Sequence, residues 1–195
     1  MLVTTDAIVL SLQPHSDKAH ILHAYTRAGG RVNYRVYGLG RKNPKGLYTP
    51  LSLIQITADQ TPSKPPTLKE ASSMANGQGI GTKGVPDIYQ QTVSLFIAEV
   101  LYHTLRYPMT DEQLFDFIAT EIHQLDTDPN FHLHFLIRFA AKLGFAIPES
   151  NRIISDPTSR KARQEALRAL CNYYAEHVET WQNPKSLDVL MEVFD

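Results

Sequence analysis

The stretch AHILHAYTRAGGRVNYRVY, residues Ala19–Tyr37, decides the fold of the N-terminal part of this 195-residue chain. Apolar and polar residues alternate on both sides of Gly29-Gly30, which is the pattern of two antiparallel strands joined by a hairpin turn. The same two-residue period recurs on either side of this stretch, and it predicts five strands, Asp6–Leu12, Ala19–Thr26, Arg31–Tyr37, Leu51–Ala58 and Pro66–Ser72. Five short strands favour a small closed barrel, because closure removes exposed sheet edges. The period leaves open whether this barrel is SH3-like or OB-type.

Beyond residue 86 the apolar residues recur with the period of amphipathic helices. Asp87 caps a run that extends to about Arg106, and a second helix begins with the capping box Thr110-Asp111-Glu112-Gln113. A third helix begins with Asp128-Pro129, and two more are predicted at about 159–178 and 186–194. Together these helices predict a bundle.

The segment between the two patterns, Ser72–Pro86, is rich in glycine and small polar residues, which is typical of a linker. The chain is therefore predicted to be an α+β multidomain protein. Its predicted parts are a five-stranded β-barrel domain at residues 1–72, a linker at 73–86 and an α-helical domain at 87–195.

Charge is distributed unevenly along the chain. Residues 1–80 contain nine Lys or Arg against four Asp or Glu, a net charge of +5, whereas residues 81–195 have a net charge of −6. This asymmetry favours a polyanion as the ligand of the N-terminal domain.

With Cys171 as the single cysteine, the sequence predicts neither an internal disulfide nor a cysteine-based zinc site. No secretion signal or membrane span is evident, so we expect a cytoplasmic protein.

The positive charge of the N-terminal domain concentrates on its third strand and the loop that follows. Alternation puts Arg31, Asn33, Arg35 and Tyr37 on one face. The pattern predicts guanidiniums about 7 Å apart, close to the spacing of successive phosphates, with a ring for base stacking. No carboxylate occurs from Gly29 to Gln55, which favours a binding surface over an ordinary solvated face. The candidate DNA-binding residues are Arg27, Arg31, Arg35, Tyr37, Arg41, Lys42 and Lys45.

The sequence contains no recognisable catalytic or cofactor motif. His20 and His23 are three residues apart on a strand and therefore point to opposite faces, so they cannot share a metal ion. We therefore expect a protein that is not an enzyme and that has no cofactor and no metal site.

Several ordered short segments resemble the RecO family of bacterial DNA repair proteins, particularly its Bacteroidetes-type members. The N-terminal matches are Ala7–Leu10, His15–Thr26 running into Gly30-Arg31, Tyr37–Lys42 and Leu47–Leu51. The C-terminal matches include Leu95–Tyr102, Leu114–Phe117, Leu143–Phe145 and Lys185–Leu190. The resemblance covers essentially the whole chain. It implies an OB-fold followed by an α-helical domain.

The resemblance also implies a function. Proteins of this family act as non-enzymatic recombination mediators that bind single- and double-stranded DNA, anneal complementary strands, contact RecR and the C-terminal tail of the single-strand-binding protein, and indirectly help to load RecA. The basic residues that the resemblance carries over are Arg31, Arg35, Arg41, Lys42 and Lys45. Two departures are expected, because one cysteine excludes the four-cysteine zinc site of some relatives and the stretch after Pro148 is shortened.

One alternative belongs to another class of function. The chain would then be a protein-interaction adaptor whose helical bundle binds a partner tail, without direct DNA binding. The aromatic residues of the predicted helices, which are most simply core residues, would in that case partly line a groove for the partner.

Overall fold

The computed structural model describes residues 1–40, 43–61, 64–74, 88–125, 128, 130–148, 157 and 159–193. These residues form two compact units. The first, here called the barrel unit, contains the described residues of Met1–Val85 together with Leu105–Ile122. The second, the helical unit, contains those of Pro86–Thr104 and His123–Asp195. Most of the predicted linker at 73–86 lies outside the described residues, and the predicted division at 72 and 87 stays a prediction.

The barrel unit is built on five strands and a short 3₁₀ helix, Lys45–Tyr48, that precedes the fourth strand. The strands are β1 Leu2–Ser16, β2 Ala19–Thr26, β3 Gly30–Tyr37, β4 Leu53–Asp59 and β5 Thr67–Ser73. Their order around the closed barrel is β1-β2-β3-β5-β4, and every pairing is antiparallel except the parallel contact of β3 with β5 at Arg35 and Thr67. The prediction of a five-stranded barrel is confirmed, and this order is that of an OB-fold rather than an SH3-like barrel.

Strand β1 is longer at both ends than the predicted Asp6–Leu12, because it pairs with two neighbours in succession. Its first half, from Leu2 to Ile8, pairs with β4, and its second half, from Ala7 to Ser16, pairs with β2. A bulge between Val9 and Ser11 interrupts the alternation. The apolar run that spans this bulge is buried throughout, which conceals the period of two.

The barrel interior is filled by the alternate side chains of all five strands. Tyr34 and Val36 of β3 are buried in this core, and Leu22 and Ala24 of β2 pack with them. Arg31, Asn33, Arg35 and Tyr37 are consequently on the outer face of β3, as the alternation predicts.

The β2–β3 hairpin turns through Arg27, Ala28 and Gly29, one residue earlier than predicted, because Thr26 already pairs with Gly30. The Thr26 hydroxyl accepts a hydrogen bond from the Gly29 amide (3.1 Å) and donates to the Gly30 carbonyl (3.0 Å), which closes the turn. Gly30 has a φ of 61°, in the left-handed region that favours glycine.

Helix α2, Glu112–Ile122, and the residues before it pack on this hairpin and belong to the barrel unit. The Tyr25 ring stacks on Phe115 with centroids 6.2 Å apart. The predicted capping box is displaced by one residue, because the Asp111 carboxylate accepts from the Leu114 amide (2.8 Å) while the Thr110 hydroxyl donates to the Ala28 carbonyl (3.1 Å). The 105–122 segment therefore covers the hairpin end of the outer barrel face.

The helical unit contains four helices, α1 Ile88–Thr104, α3 Phe131–Lys142, α4 Arg160–His177 and α5 Leu187–Val193. Its core is a series of ring contacts in which Phe135 lies between Phe131 and Phe139, and Phe139 stacks on Tyr174 of α4. The prediction of a helical C-terminal part is confirmed. None of the described helices is both long and apolar enough to cross a membrane.

Two helix starts in this unit differ in how far the sequence anticipates them. Helix α4 begins close to the predicted residue 159, and Ser159 caps it by accepting a hydrogen bond from the Ala162 amide (3.2 Å). Helix α3 begins at Phe131 rather than at Asp128-Pro129, and Pro129 lies outside the described residues. The Asp128 carboxylate instead accepts from the Asn130 amide (2.9 Å) and pairs with His134 (2.6 Å).

Candidate nucleic-acid interface

The outer face of β1, β2 and β3 is organised in cross-strand rows whose register is fixed by strand pairing. The rows that approach the end of β3 are Ser11, His23 and Asn33, then Gln13, Ile21 and Arg35, then Ser16, Ala19 and Tyr37. Asn33, Gln13 and Tyr37 are exposed, and Arg35 is half-buried. This part of the face contains no acidic side chain, so it offers a guanidinium and a ring amid neutral polar groups.

The expected 7 Å spacing of guanidiniums is wrong. Arg31 and Arg35 are four residues apart, which corresponds to about 13 Å along a strand. The residue at about 7 Å from each of them on the same face is Asn33. Along the outer face of β3, the cation of Arg31 is therefore followed by the neutral amide of Asn33 and then by the cation of Arg35.

Arg27 is engaged within the barrel unit. Its guanidinium forms two hydrogen bonds with the Asp116 carboxylate of α2, lies 3.5 Å from Asp6, and sits 4.9 Å from the centroid of the Phe115 ring. The hydrogen bond with Asp116 raises the pKa of Arg27 further. These contacts neutralise the charge of Arg27 and hold α2 on the hairpin.

Arg31 also contacts the 105–122 segment. Its Nη1 donates to the Leu105 carbonyl at 3.5 Å, and its cross-strand neighbour Tyr25 is buried under Phe115. Both arginines nearest the hairpin, Arg27 and Arg31, are therefore engaged by this segment.

Tyr37 and the half-buried Arg35 lie at the end of the face opposite the hairpin. The Arg35 amide donates to the Pro66 carbonyl (2.8 Å), which fixes the backbone at the β3–β5 junction. Within the described ranges no carboxylate pairs with the Arg35 side chain, in contrast to Arg27. The Tyr37 side chain is 46% exposed, enough for a base to stack on its ring.

The loop after β3 is held by the buried side chain of Asn43. Its amide donates to the Tyr37 carbonyl (2.8 Å), its side-chain oxygen accepts from the Tyr48 hydroxyl (3.0 Å), and its backbone carbonyl accepts from the Gly40 amide (2.8 Å). Burial raises the pKa of Tyr48 to about 12, so this hydroxyl remains a donor near neutrality. The loop is thus fixed at both of its ends before any ligand binds.

The basic residues of this loop are only partly described. Lys45 is exposed at the start of the 3₁₀ helix, and its Cε lies 4.0 Å from the position that a Cβ would take at Gly40. Gly38 and Gly40 both have positive φ, 66° and 85°, so the loop needs glycine there. Arg41 and Lys42 connect Gly40 to Asn43 in sequence and lie outside the described residues.

Sequence reasoning placed Asn33 on this face but missed the neutral residues Gln13 and Asn43. Gln13 reaches this face only through the register of β1 with β2, which the sequence does not reveal. Asn43 has a stronger signal, since Asn-Pro after a glycine-rich stretch is typical of a fixed turn. Among the residues that the structure describes, no group of three or more His, Cys, Asp or Glu side chains could hold a metal ion.

Comparison of the sequence with known proteins identifies the family to which this chain belongs. Residues 1–75 match the family model described as Recombination protein O N terminal, and residues 85–158 match Recombination protein O C terminal. The chain is also 30% identical to the DNA repair protein RecO of Phocaeicola vulgatus, an alignment that covers all of both chains. This chain belongs to the RecO family of DNA repair proteins. The resemblance seen in the sequence is therefore confirmed.

Other RecO proteins give the same result. The DNA repair protein RecO of Flavobacterium psychrophilum is 27% identical over the whole of both chains, and that of Porphyromonas gingivalis is 31% identical over 76% of this chain and 63% of its own. The first of these alignments spans 241 positions, so it opens gaps in this 195-residue chain. The candidate interface lies within the part that matches the N-terminal family model.

Proposed function

We propose that this RecO-family chain binds single- and double-stranded DNA on the outer face of β1–β3 and acts as a non-enzymatic, strand-annealing mediator of recombinational repair. One observation carries the proposal. Arg35, with no carboxylate partner among the described side chains, lies beside the exposed ring of Tyr37 next to a loop that is anchored in advance. A cation and a stacking plane are what a protein needs to hold a nucleic-acid strand without reading its sequence.

The structure of the interface also suggests which cations contribute. Arg35 and Lys45, with Arg41 and Lys42 of the same loop, are proposed to contact phosphates. Arg27 is proposed to contribute little to DNA binding, since Asp116 and Asp6 already neutralise it. Arg31 is proposed as a weaker contact because its guanidinium already donates to the Leu105 carbonyl.

The partners proposed for this chain are RecR and the C-terminal tail of the single-strand-binding protein, with RecA acting downstream. Support for them comes from membership of the RecO family rather than from any contact in the structure. The proposed absence of catalysis, cofactor and metal rests on the lack of a recognisable motif in the sequence. The proposed location is the cytoplasm.

A salt titration tests the DNA site. Fluorescence anisotropy of a labelled oligo-dT with the full chain should give a log–log salt slope of roughly −3, since four phosphate contacts contribute about 0.7 each on a single strand. Arg35→Gln should weaken binding several-fold and make the slope shallower by about 0.7. The matched control Lys185→Gln, an exposed cation of the helical unit, should change neither quantity.

Arg27→Gln tests whether Arg27, which is paired with Asp116, contributes to DNA binding as Arg35 is proposed to do. We expect it to leave the salt slope unchanged while lowering the unfolding temperature, because it removes the contacts with Asp116 and Phe115. Equal salt slopes for the Arg35 variant and the unaltered chain would contradict the assignment of this face.

A further inference from the structure

A neutral amide occupies the centre of the proposed interface. Asn33 is exposed and lies midway between Arg31 and Arg35 on the outer face of β3. Its cross-strand neighbour is His23 of β2, which is only 9% exposed. An exposed side chain is therefore paired with one that the fold keeps largely out of water.

A short hydrogen bond joins these two side chains. His23 Nδ1 lies 2.7 Å from the side-chain oxygen Oδ1 of Asn33. Because an amide oxygen can only accept, the imidazole must carry its proton on Nδ1 and donate it. The bond fixes the rotation of the Asn33 amide and directs its two N–H donors away from His23. Burial, more than any nearby charge, lowers the pKa of His23, so the pair is neutral at pH 7.

The His23–Asn33 pair costs stability that a purely structural β-strand would not need to spend. Asn is depleted in strands, where β-branched and aromatic residues pack better on the pleated surface. Burying a histidine beside it on β2 adds a desolvation cost that an apolar residue at position 23 would avoid. Arg31, Arg35 and Tyr37, which flank Asn33 on this face, are proposed DNA contacts. A DNA strand bound to them would lie within reach of the oriented Asn33 amide.

We propose that Asn33 is a further DNA-contacting residue and that His23 is its positioning residue. The amide N–H groups of Asn33 donate to an acceptor atom of the strand as it passes between Tyr37 and Arg31. This inference rests on the proposed function, and it deepens it, because it assigns part of the affinity to an uncharged contact. Such a contact releases no counterion, so its contribution does not vary with salt as that of Arg35 does.

The test uses anisotropy titrations of oligo-dT with the full chain at several salt concentrations. Asn33→Ala should raise Kd by roughly five- to tenfold, the effect of one neutral hydrogen bond, with the log–log salt slope unchanged. Asn33→Asp, which keeps the acceptor for His23 but replaces the donors by a negative charge, should bind more weakly still. Asn172→Ala, a matched change at an exposed position of α4, should bind like the unaltered chain.

The role of His23 is tested by a double-mutant cycle. His23→Phe should raise Kd two- to threefold, because Asn33 is then no longer held, and His23→Gln should restore much of the affinity by donating from its own amide. In the presence of Asn33→Ala, His23→Phe should have no additional effect on Kd. Additive effects of the two substitutions would refute the positioning role, even if either variant is less stable.

The two proposals fail in different ways. If the unaltered chain does not bind oligo-dT, the proposed function fails. If the unaltered chain binds, Arg35→Gln weakens binding, and Asn33→Ala binds normally, only the inference on Asn33 is overturned.

Discussion

Residues of the same type have different roles in this protein, according to neighbours that are distant in sequence. Arg27 and Arg35 both belong to the basic N-terminal region, yet Arg27 pairs with Asp116, 89 residues away, and Arg35 has no such partner in the described chain. Composition and alternation predicted that both would be on the surface. They could not distinguish an engaged guanidinium from an available one, because that depends on where α2 packs.

Gly30 is a second residue whose role depends on the 105–122 segment. A Cβ at this position would lie 2.7 Å from the Met109 amide nitrogen, and the φ of 61° disfavours other residues. We expect Gly30→Ala to lower the free energy of unfolding by at least about 2 kcal/mol, from backbone strain and the clash together.

Chemical denaturation followed by circular dichroism measures this change. Gly46→Ala is the matched control, because a Cβ there would have no heavy atom within 4 Å, and we expect little change. Similar stabilities for the two variants would mean that the 105–122 segment does not press on the hairpin as described.

At the scale of elements, the sequence predicts what a strand or helix buries more reliably than what it packs against. The β2–β3 hairpin follows from the alternation of its strands, and the start of α4 near residue 159 follows from its helical period. The length of β1 was underestimated because one strand serves two partners. For α2 the apolar stripe was evident, but the hairpin on which Phe115 packs was not, since periodicity identifies a face and not its partner.

Helix α3 contains a buried histidine whose protonation opposes folding. His132 is fully buried, its Nδ1 lies 3.2 Å from the Tyr89 hydroxyl, and burial lowers its pKa to about 3. Asp128 opposes this shift, and Arg163 and His134 add to it. Between pH 6.5 and about 3 the unfolded chain binds a proton at this position that the folded chain does not. The contribution of His132 to stability is therefore complete above pH 6.5 and is lost progressively as the pH falls toward 3.

The expected slope from this one group is roughly 1 kcal/mol of unfolding free energy per pH unit below 6.5. Denaturant unfolding at pH 7, 6 and 5 should show a weaker pH dependence for His132→Gln than for the unaltered chain. The comparison is between slopes, so an overall loss of stability in the variant does not affect it. Parallel pH profiles would show that His132 is not the group responsible.

For the whole molecule, the barrel and the helical bundle were both predictable, but the membership of the 105–122 segment was not. Separate strand and helix periods suggest that the boundary lies where the period changes, near residue 73. Contacts instead group Leu105–Ile122 with the strands, where Tyr25 and Arg27 are covered by Phe115 and Asp116. Local patterns cannot reveal a helix that packs on the preceding unit.

This grouping predicts which fragment folds alone. Residues 1–74 by themselves should unfold at a lower temperature and aggregate more readily than residues 1–74 joined through a Gly-Ser linker to 105–122, because the shorter fragment exposes Tyr25 and leaves Arg27 without Asp116. Thermal melts and light scattering of the two fragments measure the difference. Equal stability would favour the boundary at residue 72 that the sequence predicts.

The polypeptide enters each unit twice, so neither unit corresponds to one uninterrupted stretch of the gene. A single crossover between two homologous genes, at any point from codon 86 to codon 111, would join strands from one parent to an α2 helix from the other. Tyr25 and Phe115 would then have different ancestries, and so would Arg27 and Asp116. Natural shuffling of the barrel should therefore be rare, and the residues of the hairpin and of α2 should change together over evolutionary time.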